Sequence, residues 1–94
     1  MDVFITHSGD NTAGEIYSLE CSTVSASADI TWLDPMNNPL PSWMVNATSN
    51  MSSLTFNPLA ASHTGTYTCR ATVGNTIEIL TVYVTVKGEC PVNV

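Results

Sequence analysis

Charge is scarce in this chain. Charged residues make up 11% of its 94 positions, less than half the ~25% usual in soluble domains. Arg70 and Lys87 are the only basic residues, and the net charge is −6. Nucleic-acid phosphates are held by clustered lysine and arginine, so no nucleic-acid partner is expected. An anionic bilayer surface is disfavoured for the same reason. No stretch approaches the ~20 apolar residues that cross a membrane, so membrane attachment is expected only through a larger parent protein. Met1-Asp2-Val3 lacks the basic start and apolar run of a secretory leader, and the chain reads as one module of something larger. Histidine is limited to His7 and His63, which show no ligand spacing. The acids are scattered, without the alternating aspartates of a calcium loop. No metal or cofactor is expected. Helical periodicity is absent throughout.

What the chain has instead is a series of short alternating segments separated by turn residues. An opening strand is expected over Val3 to Thr6, followed by the turn cluster Ser8-Gly9-Asp10-Asn11. Tyr17, Leu19 and Cys21 alternate with Ser18, Glu20 and Ser22, the pattern of a half-buried strand. Ile30 and Trp32 share a face of the next strand. Pro35, Pro39 and Pro41 break the chain, and Trp43 to Val45 is expected to form a short edge strand. Leu54 and Phe56 point inward on a further strand, with Ser53 and Thr55 outward. Gly74-Asn75 is a two-residue hairpin turn, since both residues tolerate positive φ. That turn sets Ala71 opposite Glu78, Arg70 opposite Ile79, Cys69 opposite Leu80 and Tyr67 opposite Val82. Tyr67, Cys69, Leu80, Val82, Val84 and Val86 then share the inner face. Thr68, Arg70, Ile79, Thr81 and Tyr83 share the outer one. A slip of one residue would bury Arg70 without a partner.

Cys21, Trp32, Leu54, Gly65, Tyr67 and Cys69, in this order and spacing, resemble the signature of an immunoglobulin-superfamily domain. The resemblance covers roughly Val3 to Val86. It implies an all-β, Greek-key β-sandwich of two antiparallel sheets with about seven or eight strands. It further implies a Cys21–Cys69 disulfide between the sheets, Trp32 packed against it, and Tyr67 as a corner tyrosine bonded back to nearby backbone. The short interval from Trp32 to Leu54 leaves no room for two extra edge strands, which favours an I-type or C2-type domain. The family usually has an aspartate two residues before the glycine, paired with an arginine. Here that position is His63, and no arginine is available, so His63 is expected to be a neutral hydrogen-bonding substitute. A fibronectin type III sandwich is the alternative fold, though it normally lacks this cysteine pair. The domain is expected to span residues 1–87, with 88–94 as a linker toward a following domain.

Catalysis has little support. Ser62 is beside His63, but neighbours on a turn do not make the geometry of a nucleophile and its base. No enzymatic activity is expected. Asn46-Ala47-Thr48 and Asn50-Met51-Ser52 match the acceptor pattern for N-linked sugar. With the implied disulfide they favour a secreted or cell-surface location. Cys90 is left over once Cys21 and Cys69 pair. An odd cysteine of this kind suggests an inter-domain bond, an inter-chain bond or a free thiol. Leu33, Arg70, Ile79, Thr81 and Tyr83 form a candidate partner face whose composition suits an interface core. The expected function is a non-catalytic extracellular recognition module of an adhesion protein or receptor. It would bind a protein partner, homophilic or heterophilic, with a homodimer as one form. The alternative is a spacer domain in a receptor ectodomain, for example that of a receptor tyrosine kinase.

Overall fold

A computed structural model describes residues 3–24 and 27–88. Seven strands run β1 (Val3–Gly9), β2 (Tyr17–Thr23), β3 (Asp29–Leu33), β4 (Val45–Ala47), β5 (Met51–Phe56), β6 (Gly65–Val73) and β7 (Thr76–Val84). They form two antiparallel sheets, a four-stranded one ordered β1-β2-β5-β4 and a three-stranded one ordered β3-β6-β7. The four-plus-three division is that of an immunoglobulin-type sandwich. Isolated bridges add Pro39 opposite Leu33 and Thr12 beside Lys87.

The alternation read from the sequence governs burial. In β2, Tyr17, Leu19, Cys21 and Thr23 are buried and the residues between them are half-exposed. In β5, Ser52, Leu54 and Phe56 are buried. Ile30 and Trp32 from β3, Tyr67, Cys69 and Ala71 from β6, and Val84 from β7 close the core from the other side. Each large apolar side chain so enclosed contributes about 1.5–3 kcal/mol. Cys21 and Cys69 are disulfide-bonded, with their Cα atoms 6.4 Å apart. Trp32 sits directly across from Cys69 in the β3–β6 ladder. Its indole N–H donates to the Ser52 carbonyl across the sandwich at 3.0 Å, so the ring's one polar atom is satisfied in the core.

Two local expectations need correction. Trp43 and Met44 are not in a strand. Ser42–Met44 is a 3-10 turn after Pro41, and the edge strand begins at Val45. The turn buries Met44 and leaves Trp43 81% exposed. The opening strand also continues past Thr6 to Gly9, because β1 stays in register with β2 as far as Gly9 opposite Tyr17. The chain leaves that sheet at Gly9, whose φ is 92°. Ala13 N–H then donates to the Lys87 carbonyl, and Lys87 N–H to the Asn11 carbonyl. The first segment thereby ties both sheets together.

Candidate interaction face

The β6–β7 ladder has the pairing set by the Gly74-Asn75 turn, with Arg70 opposite Ile79, Ala71 opposite Glu78 and Tyr67 opposite Val82. Beyond it, β3 places Thr31 beside Arg70 and Leu33 beside Thr68. The outer face of this sheet therefore has a row of Thr31, Arg70 and Ile79, and a row of Leu33, Thr68 and Thr81. Ile79 is 59% exposed and Tyr83 is 64% exposed. Arg70 and Thr81 are exposed and Leu33 is half-buried. Ile77, absent from the expected face, is 59% exposed and lies two residues from Ile79 on the same strand. The same period of two that selects Ile79, Thr81 and Tyr83 selects it as well. The result is an apolar stripe along β7 flanked by one cation. Glu78 points the other way and is half-buried.

Beneath the face, one end of the sandwich is closed by aromatic rings. Tyr17 stacks near Phe56, and Phe56 meets Tyr67 edge-on at 5.4 Å and the His63 ring at 4.8 Å. Tyr67 hydroxyl donates to the His63 carbonyl at 2.7 Å, closing the corner that leads into β6. Ala60 N–H donates to His63 Nδ1 at 2.9 Å, and His63 N–H returns to the Ala60 carbonyl at 2.9 Å. An imidazole nitrogen that accepts carries no proton, so the ring is neutral with its hydrogen on Nε2. Burial agrees, lowering the His63 pKa below its ordinary value. Burial, and secondarily the Asp34 charge, raises that of Tyr67. Burial also raises that of Tyr17. Gly65 starts β6 at φ 151°, and a Cβ there would lie 2.6 Å from the Pro35 ring.

A shallow concavity of about 320 Å³ lies on the outer face of the other sheet. Thr6, His7, Ser8, Ser18, Glu20, Ser53 and Thr55 line it. Ser18 and Thr55 share a hydrogen bond of 3.1 Å there. Among the described residues, none of the acids, histidines and cysteines cluster in a group able to hold a metal ion. Ser62 is exposed, while the His63 ring is turned to the Ala60 backbone.

Asn46 lies on β4, the outer strand of the four-stranded sheet, and is exposed, as is Asn50 in the turn before β5. Both asparagines of the acceptor triplets are thus in the β4–β5 region, where the Ser49 carbonyl beside Asn50 accepts from Ala28 N–H at the entry to β3. Cys90 lies outside the described residues, as does the 89–94 part of the expected linker.

A family model described as immunoglobulin domain matches residues 3–72. The chain belongs to that family. No curated protein sequence matches it. Among the solved structures that match is a twitchin kinase fragment from C. elegans, described as an autoregulated protein kinase and immunoglobulin domains. It superimposes with a TM-score of 0.66 at 20% identity over 90% of this chain. This chain spans 20% of the length of that fragment. The likeness shows the fold, and with the family match it makes the chain a generic interaction or structural module.

Proposed function

We propose that the chain is a non-catalytic, extracellular recognition domain that binds a protein partner through the outer face of β3-β6-β7, with a second copy of itself as the first candidate. The observation that carries this reading is the exposed stripe Ile77, Ile79 and Tyr83 beside Arg70. Interface cores are enriched in tyrosine and arginine and poor in other charge. The disulfide behind the stripe holds the sheet rigid, which limits the ordering entropy lost on binding. A structural disulfide is also the usual mark of an oxidising, extracellular compartment.

The edge of the same sheet offers a second copy a further contact. The outer edge of β7 has no strand partner from Thr76 to Val84 among the described residues. Antiparallel pairing of two such edges about Leu80 would set Ile77 opposite the copy's Tyr83, Ile79 opposite its Thr81 and Glu78 opposite its Val82. No like charges meet, and the contact is self-complementary, as a two-fold interface requires. The second reading is a spacer that sets distance between other domains.

Sedimentation equilibrium of the oxidised Cys90→Ser domain separates them. A concentration-dependent dimer that Tyr83→Ala weakens tenfold or more supports recognition, a loss of about 1.4 kcal/mol. A monomer at every concentration supports the spacer.

A further inference from the structure

Ser52 is the third residue of the acceptor triplet Asn50-Met51-Ser52, and it is 0% exposed. Its strand, β5, is interior to its sheet, held between β2 and β4. Ser52 lies across from Cys21 on one side and from Ala47 on the other. Its hydroxyl faces the core and has no hydrogen-bond partner among the described residues. A buried hydroxyl of this kind adds nothing to the fold and costs it the desolvation of the oxygen. The acceptor pattern does use that oxygen, since it requires a hydroxyl two residues after the asparagine. Asn46-Ala47-Thr48 differs, because Asn46 and Thr48 are both exposed in the folded domain.

We propose that Asn50 accepts an N-linked sugar only while the domain is unfolded, so that folding around the Cys21–Cys69 bridge competes with its modification. Transfer joins Asn50 Nδ2 to the anomeric carbon of a lipid-diphosphate-linked oligosaccharide. The carbon–oxygen bond to the diphosphate breaks, the lipid diphosphate leaves, and the amide gives up one proton. The transferase must read the Ser52 hydroxyl while this happens. Once β5 is docked, reaching that oxygen means pulling an interior strand from between two neighbours. Asn50 itself stays at the surface, so a sugar attached beforehand is compatible with the folded domain. This inference rests on the extracellular location proposed above but not on the recognition face.

The test uses an oligosaccharyltransferase, its lipid-linked donor and the purified Asn46→Gln chain, in which Asn50 is the remaining acceptor. One sample is folded and oxidised. The other is reduced and carboxymethylated, with loss of near-ultraviolet circular dichroism showing that it is unfolded. Peptide mass spectrometry reads the modified fraction of Asn50. The expected result is at least tenfold greater modification of the unfolded chain. Equal modification of both samples overturns the proposal, because the hydroxyl is then reachable in the fold. No modification of either overturns it too, because the triplet is then not an acceptor. With Asn46 restored, the preference for the unfolded chain is expected to be smaller at Asn46 than at Asn50.

Discussion

Replacing Ser52 by alanine should make the domain more stable. The Ser52 hydroxyl is enclosed and unpartnered among the described residues. An unsatisfied buried hydroxyl costs about 1–3 kcal/mol. Ser52→Ala removes that cost and leaves a gap the size of one oxygen. At about 24 cal/mol per Å³, a void of ~15 Å³ costs about 0.4 kcal/mol. The Trp32 indole is unaffected, since it bonds the Ser52 carbonyl and not its side chain. The balance is a gain of about 1 kcal/mol, or about 4–8 °C in Tm for a domain of this size. Urea unfolding of both oxidised, unglycosylated proteins at neutral pH measures it, with an unchanged m-value as the control for two-state behaviour. A loss of about 1 kcal/mol or more would refute the reasoning. It would mean that the hydroxyl is bonded in the folded state and serves the fold itself.

Four further outcomes follow from the corner and turn geometry. Tyr67→Phe removes the hydrogen bond to the His63 carbonyl and should cost about 1 kcal/mol in urea unfolding; an unchanged midpoint would show that the corner bond is idle. Because burial lowers the folded His63 pKa, the unfolded chain binds the proton more readily. This group's contribution is therefore complete above the unfolded value of about 6.5 and declines as the pH falls through it toward the folded value. The urea midpoint should fall between pH 7.5 and 5.5, and His63→Gln should flatten that fall; equal slopes in both proteins would refute it. Gly65→Ala meets both a positive φ and the Pro35 ring, and should cost about 2 kcal/mol or more. Gly74→Ala, at φ 60° with nothing within 4 Å, should cost only about 1 kcal/mol.

The sequence made the last hairpin legible because two independent constraints agree there. The Gly74-Asn75 turn fixes the register, and the need to keep Arg70 out of the core fixes the same one. The signature residues Cys21, Trp32, Tyr67 and Cys69 were legible for a similar reason, since their spacing brings one core together. Trp43 was not. A tryptophan two residues before a valine suits an extended edge, and the 3-10 turn depends on Met44 finding space in the core. That is a tertiary event with no local period. Ser52 was within reach of the alternation, because Leu54 and Phe56 point inward and Ser52 precedes them by the same step of two. A serine adds nothing to an apolar pattern, so its step of two went without a face. Which strand β4 joins was hidden as well, since periodicity gives the face of an edge strand but not its hydrogen-bonding neighbour.

Recognition through the outer face of β3-β6-β7 is tested most directly by a glycan wedge placed on it. Ile79→Asn creates an acceptor triplet with Leu80 and Thr81 in the middle of the exposed stripe. Beads coated with the oxidised wild-type domain, made in secretory cells, are scored for aggregation against beads coated with the wedged domain. Self-recognition through this face predicts that wild-type beads aggregate and that wedged beads, with the glycan verified by mass, do not. Aggregation that survives the wedge, or wild-type beads that stay dispersed, would contradict it.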